Sequence, residues 1–151
     1  MVSRAIGLIV LCFVWLAPFG AAAQDAPFIL VDADSGAVLA QNRSGDLWYP
    51  ASLTKLMTVY LVFEALADGR LELDSPVTVS ANALEEPPSK MGFPAGTVIT
   101  VDNALKILIV KSANDAAIML AEAVAGSQEA FVVRMNAAAA KLGMSRTLFA
   151  N

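Results

Sequence analysis

Histidine is absent from this chain, and cysteine occurs once, at Cys12. Without histidine there is no Ser-His-Asp triad, no Cys-His dyad and no histidine-ligated zinc. Any proton transfer falls to carboxylates, lysines or hydroxyls. Cationic side chains are also scarce: 10 Lys and Arg stand against 14 Asp and Glu, a net charge of −4 over 151 residues. That balance argues against nucleic acid as a partner, because neutralising phosphates needs a cationic face. Apolar side chains are plentiful, at 57% of the residues, enough for the core of one ordinary domain or of part of a larger one. No internal repeat and no low-complexity linker is visible.

The lone cysteine lies in the first twenty residues. Arg4 precedes an apolar run from Ala5 to Phe19, and Gly20-Ala21-Ala22-Ala23 follows. One positive charge, an apolar middle and small residues at the end form the pattern of a secretory signal peptide cut after Ala23. An uncleaved anchor is the alternative, but the run is shorter than the roughly 20 residues that span a bilayer. Ile9-Val10-Leu11 lack the small residues expected before a lipid-modified cysteine. Residues 1–23 are therefore expected to be removed on export, to the periplasm or cell envelope. Residues 24–151 would remain, 128 in number, with no cysteine and nine basic against 14 acidic side chains. Stability then rests on core burial rather than on disulfides.

Phe28 to Val31, the turn cluster Asp32 to Gly36, and Ala37 to Ala40 read as a β-hairpin with Gly36 at positive φ. Pro50 precedes a helix from Ala51 to about Ala67, closed by Asp68-Gly69. Its apolar residues cover nearly the whole circumference, which predicts a buried central helix. Val77 to Val79 and Thr97 to Val101 are short strand candidates. Between them Glu85 to Gly96 is a long Pro- and Gly-rich loop, a candidate for function. Helices are expected over Asn103–Val110, Ala116–Ala125, and from a Ser127 cap to about Leu142. Leu148-Phe149 would open a strand.

Ser52-Leu53-Thr54-Lys55 is the most informative tetrapeptide. Residues three apart are neighbours on a helix, so the Ser52 and Lys55 side chains can meet. A lysine in an apolar helix is costly unless paired or neutral, and desolvation favours the neutral amine. A neutral amine beside a hydroxyl is a base beside a nucleophile. The helix N-terminus also favours an oxyanion forming near Ser52. The competing reading is a serine cap with a lysine whose head reaches solvent. The second candidate is Ser112-Ala113-Asn114, where a hydroxyl could relay a proton and an amide hold a substrate amide. Plain capping competes there too. Ser80-Ala81-Asn82 repeats the tripeptide but follows a short strand, reads as a surface turn, and is set aside.

These segments together resemble a known family. Pro50 to Thr58 is similar to the nucleophile segment of low-molecular-mass penicillin-binding proteins, within them the serine D-alanyl-D-alanine carboxypeptidases. The hairpin from Ile29 to Leu39, the segment Ser112 to Ala116, and Gly126 to Asn136 are similar as well, so the resemblance covers Phe28 to Asn151. Paired Ser-x-x-Lys and Ser-x-Asn motifs are an already described signature of acyl-serine enzymes. The family's third motif, Lys-Thr-Gly, occurs nowhere in the 151 residues. The resemblance therefore implies that residues 24–151 are the N-terminal part of a catalytic domain, and that the chain alone is a poor enzyme.

The implied fold is an α/β (α+β) penicillin-binding, β-lactamase-like domain, an antiparallel sheet with a helical subdomain. The first strands and most of the helical part would be present here. The implied activity removes the terminal D-alanine from peptidoglycan stem peptides through an acyl-serine. Ser52 would be the nucleophile, Lys55 the base, Ser112 the proton relay, and Asn114 the group holding substrate. No cofactor or metal is implied. β-Lactams would be covalent inhibitors, and a membrane-associating C-terminal segment belongs to the family pattern. A serine β-lactamase, with Glu85 or Glu86 as a loop carboxylate that nothing specific aims at Ser52, stays open. So do a peptidoglycan endopeptidase and a non-catalytic exported cell-wall-binding module. The export reading has a direct check: N-terminal sequencing of secreted protein should begin at Gln24, and a mature protein still starting at Met1 would contradict it.

Overall fold

The computed structural model describes residues 26–151. The expected signal peptide, residues 1–23, lies outside the described residues. The chain divides into two compact units, one reaching to Trp48 and the other running from Tyr49 to Asn151.

In the first unit, β1 (Phe28–Val31) pairs antiparallel with β2 (Val38–Asn42). The register runs from Phe28 opposite Asn42 to Val31 opposite Val38, with a bulge between Leu30 and Val31. Asp32 organises the turn. Its Oδ1 accepts from the Ser35 hydroxyl at 2.6 Å and the Ser35 N–H at 2.8 Å. These bonds hold its carboxyl below the ordinary carboxylate range. Gly36 closes the turn at φ 72°, as its place in the sequence predicts.

The second unit is mainly helical. A short 3-10 turn, Ala51–Leu53, runs into α1 (Thr54–Ala67). Next come β3 (Pro76–Thr78), α2 (Ala81–Glu85), β4 (Val98–Thr100), α3 (Val101–Lys111), α4 (Asn114–Ala125) and α5 (Gln128–Lys141). β3 and β4 form an antiparallel pair with Val77 opposite Ile99. Thr100 and Ser127 cap α3 and α5 by accepting from the Asn103 and Ala130 N–H groups.

Two expectations are corrected here. The central helix is α4, which packs against α1, α2, α3, α5 and β3. It buries Ala116, Ile118, Met119, Leu120, Ala121 and Val124. α1 buries only one face, with Met57, Leu61, Val62 and Ala65, while Leu56 and Phe63 on the opposite side are exposed. Because α1 is apolar all round, its periodicity cannot tell the packed face from the open one. The strand expected at Leu148-Phe149 also does not form. The Asn136 side chain takes its place, accepting from the Phe149 N–H at 2.9 Å and donating to its carbonyl at 2.8 Å. That satisfies the backbone of a residue whose ring is buried.

One ion pair joins α1 to α5. Lys141 Nζ lies 3.0 Å from Glu64 Oε1, which also accepts from the Tyr60 hydroxyl. Lys141 chiefly, and then Tyr60, hold the Glu64 carboxyl below its ordinary 4.5. A depressed carboxylate contributes stability above its unfolded pKa, and the contribution is lost as pH falls through the folded one. Urea midpoints should therefore fall more steeply for the unaltered chain than for Glu64→Gln as pH drops from about 5 to about 3. Parallel pH profiles would show that the pair contributes nothing.

Candidate active site

Ser52 sits in the middle of the 3-10 turn, and Lys55 in the first turn of α1. The spacing predicts both on one α-helix. The structure instead puts the serine on the tighter turn that leads in. A 3-10 turn brings residues three apart almost into line, so the Ser-x-x-Lys spacing still stacks the two side chains on one side. Both line a cavity of about 470 Å3, a volume in the range of small-molecule sites. Ser52 is exposed and Lys55 is half-buried. Lys55 makes no hydrogen bond or ion pair among the described residues.

Asn114 lines the same cavity from the start of α4. Two segments far apart in the chain therefore share one wall. Ser112 does not line the cavity. Its hydroxyl is buried and has no hydrogen-bond partner among the described residues. The competing capping reading of Ser112-Ala113-Asn114 is not met, because the cap position is Ala113, with no side-chain bond. Ser112 instead adopts the left-handed conformation, φ 57°, and stops α3 there.

Ala51, next to Ser52, is also left-handed at φ 50°. Among non-glycine residues of the second unit only Ala51 and Ser112 have positive φ. That conformation costs an L-residue about 1–2 kcal/mol. Strain of this kind persists where surrounding contacts enforce it, and it gathers at functional sites.

The contacts that enforce it at Ser112 come from the loop between α2 and β4. The Asn114 N–H donates to the Ser89 carbonyl at 2.7 Å, and its side-chain amide donates to the Pro87 carbonyl at 2.8 Å. The Ser89 hydroxyl donates to the Lys111 carbonyl at 3.1 Å. Asp115 completes the clamp. Only 2% exposed, it accepts from the backbone N–H groups of Met91 at 2.9 Å, Gly92 at 3.0 Å and Ala116 at 2.9 Å. No cation pairs with it among the described residues. Its charge is met by N–H donors and by the α4 N-terminus. The long loop that the sequence marks as a candidate for function is thus fastened to the second motif.

Nothing in the sequence sets Asp115 apart from the other carboxylates. Its place directly before the apolar run Ala116 to Ala121 is the one available signal. Thr58 likewise reads as one of four polar residues of α1, with Thr54, Lys55 and Glu64. It is buried and lines the cavity one turn beyond Lys55. Glu86 lines the cavity too, whereas Glu85 does not. Ser80 proves structural rather than a surface turn. It caps α2 through the Ala83 N–H and donates to Glu122 on α4 at 3.0 Å.

Comparison with known proteins shows the family. A sequence model of the D-alanyl-D-alanine carboxypeptidase family matches residues 17–151. The D-alanyl-D-alanine carboxypeptidase DacC of Escherichia coli is 41% identical over 128 residues, covering 81% of this chain and 32% of the relative. The crystal structure of the D-alanyl-D-alanine carboxypeptidase DacD from Francisella tularensis superposes with a TM-score of 0.77 at 37% identity, covering 83% of this chain and 30% of that one. Penicillin-binding protein D2 of Listeria monocytogenes, solved in an ampicillin-bound form, gives a TM-score of 0.70 at 28% identity over 82% of this chain and 49% of that one. The chain belongs to the D-alanyl-D-alanine carboxypeptidase family, and its fold is part of a penicillin-binding domain. It spans about a third of the length of the curated relatives it matches.

Replacing Asp115 tests the clamp. Asp115→Ala removes one acceptor from three backbone N–H groups and should cost about 3 kcal/mol in urea unfolding, at roughly 1 kcal/mol per bond. Hydrogen exchange at Met91 and Gly92 should accelerate with it. A loss under about 1 kcal/mol, with exchange unchanged, would show that the loop is held by other means.

Proposed function

We propose that this chain carries the nucleophile half of a serine carboxypeptidase that removes the terminal D-alanine from peptidoglycan stem peptides. The observation that carries the reading is the sharing of one cavity by Ser52, Lys55 and Asn114 in a member of this family. Ser52 Oγ attacks the carbonyl carbon between the two terminal D-alanines, and its proton passes to the neutral amine of Lys55. The substrate carbonyl becomes an oxyanion, and the Ser52 N–H is one donor for it. A single such donor is worth about 3 kcal/mol in serine enzymes. Collapse of the tetrahedral intermediate breaks the peptide bond. The departing amine takes a proton back from the Lys55 ammonium, and D-alanine leaves; Ser112, the expected relay, has its hydroxyl buried outside the cavity wall. Water then attacks the acyl-serine and frees Ser52. Asn114 has its amide N–H engaged by Pro87, so its carbonyl is the end available to a substrate N–H.

On this reading a penicillin acylates the same serine, in line with the ampicillin-bound relative. The signal pattern of residues 1–23 supports chemistry outside the cytoplasm, in the periplasm or cell envelope. Lys-Thr-Gly is not among the 151 residues, so labelled penicillin is best offered to two proteins: this chain, and the chain extended through a Lys-Thr-Gly-bearing strand. The extended form should label at Ser52 much faster than the chain alone, because lost positioning can cost ~10²-fold. Ser52→Ala should abolish labelling, and Lys55→Ala should slow it by ~10²-fold or more without unfolding. Label that survives Ser52→Ala or maps to Ser80 would overturn the assignment.

A further inference from the structure

α1, α4 and α5 border a second cavity, of about 210 Å3, which shares no lining residue with the one that holds Ser52. Three cations line it: Arg70 from the turn after α1, and Arg134 and Lys141 from α5. The chain has only 10 Lys and Arg in 151 residues, so three at one cavity run against its acidic balance. Glu64 is the one carboxylate in the lining, which leaves positive charge in excess there.

The fold places these cations. Arg134 and Lys141 are two turns apart on one face of α5, and the alanines between them, Ala137 and Ala138, leave the space open. After α1, Gly69 turns the chain at φ 69°, and the Arg70 N–H donates back to the Ala65 carbonyl at 2.9 Å, which fixes the backbone that carries the guanidinium. Helix C-termini attract cations, and this accounts for Arg70 and Lys141 at the ends of α1 and α5. Both also have partners: Lys141 pairs with Glu64, and Arg70 gives one terminal nitrogen to Asp68 at 3.1 Å. Arg134 has neither explanation. It lies two turns inside α5, beyond the last-turn reach of the dipole. It makes no hydrogen bond or ion pair among the described residues.

We propose that this cavity binds a phosphate group, with Arg134 as its principal contact. A guanidinium offers a planar fork of donors that meets phosphate oxygens two at a time. The Arg134 fork is open, Arg70 has donors left over from Asp68, and Lys141 adds its charge. Donors from two separate elements suit a tetrahedral dianion better than a planar monoanion. The volume is below that of a drug-sized pocket and suits one headgroup. The shared chemistry is a phosphate ester, carried either on a small soluble molecule or on a lipid headgroup. Because the contacts are exposed, binding weakens as salt is raised. Nothing in the proposal depends on the chemistry at Ser52.

The test has two arms. In the first, inorganic phosphate is titrated into the chain at low salt, and NMR follows the Arg134 side chain and the Ala137 and Ala138 amides. Saturable shifts with a Kd on the order of a few millimolar are expected for three exposed contacts. Arg134→Gln, a substitution that keeps a good helix former, should weaken binding about fivefold. Arg134→Lys should retain part of the affinity, because charge remains and the fork is lost. Lys106→Gln removes the same charge from α3, outside the cavity, and should change nothing. In the second arm the chain is sedimented with vesicles of phosphatidylcholine alone or with added phosphatidylglycerol. Retention on the anionic vesicles that is lost in Arg134→Gln assigns the phosphate to a lipid headgroup, and phosphate binding without retention assigns it to a soluble ester. Absence of a saturable shift with phosphate, binding that survives Arg134→Gln unchanged, or an equal loss in Lys106→Gln would overturn the proposal.

Discussion

An enclosed carboxylate with no cation beside it has to be neutralised by dipoles, and Asp115 meets that constraint with three backbone N–H groups and a helix N-terminus. Much of the site depends on it. The bonds to Met91 and Gly92 fasten the loop between α2 and β4. With the loop fastened, the carbonyls of Pro87 and Ser89 meet Asn114 and turn its side chain toward the cavity wall. The same bonds hold the left-handed turn at Ser112 between α3 and α4. A buried charge is an expensive way to fasten a loop unless every acceptor is used, and that expense makes the arrangement sensitive to a single substitution.

The other half of the site is made differently. Ser52 and Lys55 come from one short stretch, and their proximity follows from local spacing on the 3-10 turn and the first turn of α1. Local geometry places the pair, and long-range hydrogen bonds place the amide in the same cavity. This division explains what can be read from the chain itself. Ser52-Leu53-Thr54-Lys55 is legible because its chemistry lies within four residues. Ser112-Ala113-Asn114 can be separated from its duplicate at Ser80 only by its place between two apolar helices. The structure gives the reason the duplicate fails: Ser80 is consumed in capping α2 and in binding Glu122.

Contacts across distance are the part that is not legible. The hairpin of β1 and β2 and the cap at Ser127 are decided by neighbouring residues, and local patterns mark where these features fall. The choice of α4 rather than α1 as the central helix is decided by which faces meet, and both helices are apolar enough to qualify. Asn136 standing in for a strand partner of Phe149 is equally invisible in one dimension. Glu86 and Glu85 are adjacent and identical in type, and only the backbone turn at the end of α2 sends one into the cavity and leaves the other outside it.

The Asp115 clamp and the Ser52–Lys55 pair, on this account, form one working site. The most direct measurement is the rate at which labelled penicillin acylates Ser52 in the extended protein, with Asp115 and with Asp115→Asn. The amide side chain keeps the shape of the carboxylate but weakens the hold on the loop. The account therefore predicts acylation slowed by about tenfold or more at a temperature where the variant remains folded. An unchanged rate in a folded variant whose loop amides exchange faster would contradict it, because the loop would then be free while the chemistry proceeded as before.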